Sequence, residues 1–224
     1  MSSIQYLGHS CFKVQLDNIV CLFDPVVSNT ISASPRKIPS ALDPMAIREC
    51  DLIFITHELP DHCEPDTIKT IAERTFASVV APKPALAKID ISDRFKIDVR
   101  TQDKFTVKGL DIEVIKAVHP QSAYPVGYLV KNQKYKIYHA GSTYSFREMV
   151  GVGADIAILP IGGTYTMDPF AAANVCKEMR PKYTIPMQYN TTERISQDVS
   201  EFSENLGTIT KPLVLQVGQS AKLP

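Results

Sequence analysis

The sequence Thr-His-Glu-Leu-Pro-Asp-His (THELPDH) occupies residues 56–62, at the end of the apolar run DLIFIT at residues 51–56. A short continuous apolar run is typical of a strand buried on both faces. The end of such a strand would hold His57, and the turn after it would bring Asp61 and His62 back beside it. Imidazole and carboxylate groups are ligands that zinc, iron or manganese accepts. The stretch therefore predicts a metal site, with a surface turn of incidental polar residues as the alternative.

Short apolar segments separated by turn residues predict further strands in the first half of the chain. The expected strands there are residues 4–7, 11–16, 19–23, 77–82, 95–99 and 104–107. A helix is expected at residues 65–74, where Pro65 suits the first turn, and a short helix at residues 84–88. The Ser- and Pro-rich residues 26–44 have no clear period, and loops of this length are usually lids, binding loops or disordered segments.

The second half repeats a strand-then-helix order. Its expected strands are residues 110–118, 127–130, 134–138, 155–160, 183–187 and 213–217, and its expected helices are residues 168–179 and 198–206. Asp168 offers an N-cap, and Pro169 is a favoured first helical residue. Hairpins and strand–helix units in two similar halves predict an α/β sandwich of two mixed sheets with helices on the outer faces.

Composition restricts the class of protein and its partners. The 224 residues are 44% hydrophobic and 21% charged, which is typical of a globular protein, and the length suits a single domain over residues 1–224. Lys plus Arg equals Asp plus Glu at 24 each. This balance argues against nucleic-acid and membrane partners. No apolar run reaches the roughly 20 residues of a membrane span, and no signal peptide is recognised, which predicts a cytoplasmic location. The five scattered cysteines are expected to be reduced thiols.

Seven segments, taken in order, resemble the metallo-β-lactamase superfamily, in particular its metal-dependent hydrolases related to L-ascorbate-6-phosphate lactonase. The segments are YLGHSCF (6–12), LFDP (22–25), THELPDH (56–62), AVHP (117–120), YHAGST (138–143), LPIGGTYTMDPFAA (159–172) and IPMQYNT (185–191). The resemblance covers nearly the whole chain and implies a four-layer αββα sandwich, the metallo-β-lactamase fold. It also implies a metal-dependent hydrolase that acts on a lactone, ester or phosphoester.

Position by position, the resemblance implies four metal ligands in this chain. His57 and His119 match ligands of the family's first metal, whereas Asp61 and His62 match ligands of its second metal. Asp61 would also orient or deprotonate the attacking water, which gives this residue a catalytic role.

Three positions depart from the family's pattern. Leu59 replaces a histidine of the first site, Ser142 replaces a carboxylate that bridges both metals, and Gln188 replaces a histidine of the second site. Leu59 cannot ligate a metal, Ser142 offers a neutral hydroxyl, and the amide oxygen of Gln188 suits hard ions better than zinc. Two dications ~3.5 Å apart repel by about 19 kcal/mol at an effective dielectric of about 20, and the missing bridge leaves this repulsion without its usual offset.

The sequence therefore predicts at most one divalent transition metal, zinc or manganese, which is weakly bound or absent. Two ligand sets remain open for this metal. One set is Asp61 and His62 with Gln188, and the other is His57 and His119 with help from Asp61.

Further residues, including Ser142, are expected either to support the metal ligands through hydrogen bonds or to contact the substrate. By resemblance His9 lies near the site, although a strand-end histidine that caps backbone groups is the alternative. Asp24 resembles an acid that supports metal-binding histidines, and a turn-forming Asp-Pro pair is its alternative.

Two functions of different kinds follow from these observations. One is a hydrolase of a small-molecule substrate, with substrate choice expected in residues 26–44 and around Tyr165 and Tyr189. The other is a catalytically inactive relative that keeps the pocket to bind or sense a small ligand. Formation of a homo-oligomer is left open by the sequence.

Overall fold

Two seven-stranded mixed sheets, one in each of two units, carry the fold of this chain. The computed structural model describes residues 2–223. Residues 2–100, 122–124 and 215–223 form the first unit, and residues 101–121 and 125–214 form the second.

The strands in chain order are β1 (Ser3–Gly8), β2 (Cys11–Leu16), β3 (Ile19–Phe23), β4 (Thr30–Ile31), β5 (Ser34–Pro35), β6 (Leu52–Phe54), β7 (Ser78–Ala81), β8 (Lys96–Asp98), β9 (Lys104–Val107), β10 (Leu110–Lys116), β11 (Val126–Lys131), β12 (Lys136–His139), β13 (Ile156–Pro160), β14 (Tyr183–Met187), β15 (Lys211–Pro212) and β16 (Ser220–Lys222). The α-helices are α1 (Pro65–Thr75), α2 (Lys83–Leu86), α3 (Pro169–Met179) and α4 (Val199–Leu206), and short 3-10 helices are formed by Asp93–Phe95, Arg147–Gly151 and Glu193–Ile195.

The sheet of the first unit has the strand order β16-β1-β2-β3-β6-β7-β8. β16, β1, β2 and β3 pair antiparallel, whereas β3, β6, β7 and β8 pair parallel. Because β3 and β6 are parallel neighbours, their carboxyl ends lie side by side at one edge of the sheet. The segments that follow these two ends, including Asp24 and Thr56, are therefore close to each other.

The sheet of the second unit has the strand order β15-β14-β13-β12-β11-β10-β9. β9 to β12 form an antiparallel meander, and β12 to β15 pair parallel. Strands β12, β13 and β14 are almost entirely buried. Their carboxyl ends lead into residues 140–143, 161–163 and 188–191, which places all three segments at one edge of this sheet.

The helices begin where the sequence predicts. α1 has Pro65 in its first turn and buries Ile68, Ile71 and Ala72 on one face, as an amphipathic helix should. At the start of α3 the Asp168 carboxylate accepts a hydrogen bond from the backbone N–H of Ala171 at 2.7 Å. The predicted α/β class with two mixed sheets is confirmed, and so are most of the predicted strands.

The predicted closing strand at residues 213–217 is wrong. The chain leaves the second sheet after β15, and the N–H of Leu213 makes a last hydrogen bond to the carbonyl of Thr184 in β14 at 2.8 Å. It then contributes Leu215 to a buried position and forms β16 at Ser220–Lys222, on the edge of the first sheet. The apolar spacing of residues 213–217 reflects this burial of Leu215 and not a strand.

Residues 26–44, expected to be a lid, a binding loop or a disordered segment, are held in place at several points. They contain the small hairpin of β4 and β5. The half-buried Arg36 guanidinium donates to the carbonyls of Ser28 at 3.0 Å and Val26 at 3.2 Å. The carboxylate of Glu64 accepts from the N–H groups of Val27 at 2.8 Å and Ser28 at 3.0 Å. Arg36 therefore fixes the loop.

The prediction of free thiols is confirmed, since all five cysteines are buried and unbridged. Across residues 2–223, none of the helices combines the length and the apolar character that crossing a bilayer requires.

Candidate metal centre

The carboxylate of Asp24 is the anchor of a buried network at the ends of β3 and β6. Its Oδ1 accepts the backbone N–H of Thr56 at 2.8 Å, and its Oδ2 accepts the Thr56 hydroxyl at 2.8 Å. The same Oδ2 lies 2.6 Å from Nδ1 of His62. The side chains of Asp24 and His62 are both fully buried. The contact with Asp24 fixes the orientation of the His62 ring through its Nδ1 atom.

Hydrogen bonding at Thr56 determines which ring nitrogens of two histidines carry protons. The Thr56 hydroxyl lies 3.0 Å from Nδ1 of His57 and 3.1 Å from Nδ1 of His62. A carboxylate only accepts hydrogen bonds, so the Thr56 proton goes to Asp24 and its lone pairs face the two Nδ1 atoms. Nδ1 is then protonated in both rings, and Nε2 of each ring is the nitrogen that can bind a cation.

The loop after β6 brings Asp61 back toward these rings, as the sequence predicts. The backbone carbonyl of Leu59 accepts from the N–H groups of His62 at 3.0 Å and Cys63 at 2.8 Å, which closes the turn. Leu59 itself is half-buried. Asp61 Oδ2 then lies 4.0 Å from Nε2 of His62.

His9 completes a cluster with Asp61 and His62. Its Nε2 lies 3.7 Å from Asp61 Oδ2, and one ligand atom from each of the three residues lies within 4.8 Å of the others. Burial alone would raise the pKa of Asp61, but the His9, His62 and His57 imidazoles outweigh it and hold that pKa well below its usual range. Asp61 is therefore ionised in the folded protein.

The chemistry of this cluster fits a divalent transition metal. It offers one carboxylate and two imidazoles, which are the oxygen and nitrogen donors that zinc and manganese accept. Among the described residues, the buried Oδ1 atom of Asp61 has no hydrogen-bond partner. A buried anionic oxygen without a partner is costly unless it faces a cation, and a metal ion would satisfy it.

Two positions of this site have strained backbones. His9 has φ of 59° and Asp24 has φ of 42°, both in the left-handed region that residues other than glycine seldom occupy. Such conformations cost of order 1–3 kcal/mol each and cluster at functional sites. The strain supports a functional role for His9 and Asp24.

The second unit holds the other residues that the sequence singles out. Gln188 Nε2 donates to Ser142 Oγ at 2.9 Å, so two of the three residues that depart from the family's pattern bond to each other. His119 Nδ1 lies 3.1 Å from the carbonyl of Tyr165 and donates to it, which leaves Nε2 as the nitrogen that can ligate. Gln188 also has a left-handed backbone, with φ of 55°.

Glu58 is a structural residue of the THELPDH stretch that the sequence does not reveal. Its carboxylate accepts from Ser122 Oγ at 2.8 Å and from the Ala123 N–H at 2.7 Å, and its carbonyl accepts from Lys88 Nζ at 2.7 Å. Burial opposes ionisation, but the hydrogen bonds from Ala123 and Ser122 outweigh it and lower the pKa of Glu58. Partners more than 60 residues away leave no local signal, so no sequence pattern could have found this role.

Comparison with known proteins agrees with this geometry at the level of class. The model of the beta-lactamase superfamily domain matches residues 3–188, which makes the chain a member of that superfamily. A metal-dependent hydrolase of Pyrococcus furiosus is 33% identical over 237 residues, and one of Staphylothermus marinus is 34% identical over 240 residues. Each alignment covers 100% of both chains. The chain accordingly belongs to the UPF0173 metal-dependent hydrolase family.

A solved structure shows the same fold. The metallo hydrolase Igni18 from Ignicoccus hospitalis superimposes with a TM-score of 0.81 at 28% identity, over 98% of this chain and 97% of that chain. The predicted metallo-β-lactamase fold is thereby confirmed, whereas the narrower likeness to ascorbate-6-phosphate lactonase stays a prediction.

Proposed function

We propose that the protein is a hydrolase of small molecules that works with one divalent metal ion, zinc or manganese. The observation that carries this proposal is the state of the Asp61 carboxylate. It is ionised and largely buried, it lies next to two imidazoles, and its Oδ1 has no hydrogen-bond partner among the described residues. When bound, a divalent cation supplies a Lewis acid and lowers the pKa of water. The lactone, ester and phosphoester substrates inferred from the resemblance are all open to attack by such water.

The residues of this chain would have different roles around that ion. His62 presents Nε2 because Asp24 accepts the proton at Nδ1. Asp61 supplies negative charge, and its carboxylate would orient or deprotonate the attacking water. The roles of His57, His119 and Gln188 as ligands rest on the resemblance and stay predictions.

One metal, rather than two, follows from the donors that replace the family's ligands. Leu59 supplies no donor atom, and the neutral Ser142 hydroxyl takes a hydrogen bond from Gln188 where the family has a bridging carboxylate. Fewer anionic donors leave the mutual repulsion of two dications without an offset. We therefore expect at most one zinc or manganese per chain.

Metal titration with a panel of substrates tests this function. The protein stripped with a chelator is titrated with zinc and with manganese, and turnover of a lactone, a p-nitrophenyl ester and a bis(p-nitrophenyl) phosphodiester is measured. We expect metal-dependent turnover of at least one substrate, and a loss of about 100-fold or more in Asp61→Asn.

Asp51→Asn is the matched control for that variant, because Asp51 is a partly buried carboxylate that accepts the Val20 N–H at 2.9 Å and lies outside the cluster of His9, Asp61 and His62. It should keep the activity of the unaltered protein. A protein that binds one metal and turns over none of the substrates would favour the second candidate, a small-ligand binding or sensing protein. The hydrogen-bonded neutral pair Ser142 and Gln188 is the observation that supports this candidate.

A further inference from the structure

We infer that His9 is a protein ligand of the metal, so that the ion is held by His9, Asp61 and His62. This inference rests on the proposed function, and it gives the site of Asp61 and His62 a nitrogen donor that the replacement of the family's second-site histidine by Gln188 would otherwise leave missing. The resemblance assigns His9 no such role, since it places this residue only near the site.

The backbone around His9 holds its side chain in one direction. His9 and Ser10 form the tight connection between β1 and β2, and the strand pairing shifts register between Tyr6 and Gly8. The Tyr6 hydroxyl donates to the His9 carbonyl at 3.2 Å. His9 is 3% exposed, so its imidazole points into the protein and not into solvent. A ligand on such a rigid connection loses little conformational entropy when it binds an ion.

The distances between donor atoms match a coordination shell. Ligands bound at about 2.0–2.1 Å in a tetrahedral arrangement lie roughly 3.3–3.4 Å from each other. Asp61 Oδ2 lies 3.7 Å from His9 Nε2 and 4.0 Å from His62 Nε2. Both distances exceed a hydrogen bond, and a contraction of a few tenths of an ångström would close the shell around a cation.

The charges near this ion also balance. Asp61 lies in the cluster, and Asp24 lies directly behind His62 at 2.6 Å. Two carboxylates offset the charge of one dication, which is the condition for holding it in a buried place. A carboxylate behind a ligating histidine is also the usual support of a bound metal.

Removing the His9 imidazole without disturbing the backbone tests the inference. His9→Gly suits this purpose because glycine adopts the observed φ of 59° without strain. We expect zinc affinity, measured by calorimetry or chelator competition, to fall by more than about 100-fold, since even the loss of an outer partner of a ligand costs about 10–100-fold. Free imidazole at millimolar concentration should restore part of the lost affinity by entering the space that His9 leaves.

Cobalt gives a second readout that does not depend on turnover. Bound Co²⁺ reports its ligands through its visible absorption, so His9→Gly should change the spectrum and added imidazole should bring it back. His139→Ala is the matched control, because His139 is a fully buried histidine in the second unit. It should leave zinc affinity and the cobalt spectrum unchanged, provided that its circular dichroism shows a folded protein.

The outcomes separate this inference from the function on which it rests. Unchanged zinc affinity in folded His9→Gly would overturn the role of His9 and leave the hydrolase proposal standing, above all if His57→Ala abolishes binding. A chain that binds neither zinc nor manganese would overturn the hydrolase proposal itself.

Discussion

Oδ2 of Asp24 lies 2.6 Å from Nδ1 of His62, and neither side chain is exposed to solvent. This contact sets the tautomer of His62, because a carboxylate can only accept the proton at Nδ1. Asp24 therefore controls the nitrogen that His62 presents.

Asp24→Asn should weaken zinc binding by about 10–100-fold, because an amide supports the histidine less well than a carboxylate. Calorimetric titration measures the affinity, and thermal unfolding shows whether the variant remains folded. Asp51→Asn removes a carboxylate that accepts the Val20 N–H and should bind zinc normally. Equal zinc affinities in the Asp24 and Asp51 variants would show that Asp24 serves the fold alone.

Glu58→Ala should loosen residues 122–124, because their connection to Glu58 consists of the bonds from Ser122 and Ala123. Hydrogen bonds to a charged group contribute roughly 1.5–3 kcal/mol, so the free energy of unfolding should fall by about that amount. Hydrogen exchange at the Ala123 amide should become faster. Glu58→Gln keeps an acceptor oxygen and should show a smaller effect. An Ala123 amide that exchanges at an unchanged rate in Glu58→Ala would contradict this role.

Gly162→Ala should destabilise the second unit through a steric clash. A Cβ at Gly162 would overlap the backbone carbonyl of Gln188 and lie 3.1 Å from Cγ2 of Ile195. Overpacking of this kind costs about 1–3 kcal/mol, which denaturant titration can resolve. Gly151→Ala is the matched control, since nothing lies within 4 Å of the added methyl group. Equal denaturation midpoints for the two variants would mean that the segment after β13 shifts to accommodate the added methyl group without a loss of stability.

The thiols should resist alkylation in the folded protein. Burial raises the pKa of Cys50, Cys63 and Cys176 to about 12 in each case. At pH 8 their thiolate fraction is then roughly a thousandfold below that of a free cysteine with pKa of about 8.5. Iodoacetamide should label no cysteine until denaturant is added and all five afterwards, as mass spectrometry can count. Rapid labelling of Cys63 in the folded state would show that the loop beside Asp61 opens.

The local parts of the fold could be predicted because their signals lie close together in the sequence. Pro65 marks a helix start through its fixed φ, and Asp168 marks another through its hydrogen bond from the Ala171 N–H. The apolar run before His57 identifies β6, although the strand itself covers only Leu52–Phe54. Distant pairing leaves no such signal, which is why residues 213–217 were expected to be the last strand.

The site could be predicted in part for the same reason. His57, Asp61 and His62 share one short stretch, and the turn closed at Leu59 brings the latter two back as expected. The proximity of His9 to Asp61 depends on the order of strands in the sheet, in which β1, β2, β3 and β6 are consecutive neighbours. The sequence spacing of His9 and Asp61 gives no sign that the two side chains lie close together.

The position of β16 has a consequence for synthesis on the ribosome. This strand pairs Lys222 with Ser3 and Ser220 with Gln5, so β1 receives its outer neighbour from a segment that is synthesised much later. The paired residues are 215 to 219 positions apart, which at 5–20 residues per second is a delay of roughly 11–44 s. Throughout this interval the outer edge of β1 offers unpaired N–H and C=O groups to any other nascent strand. The second unit, by contrast, has all its strands once residue 212 has emerged.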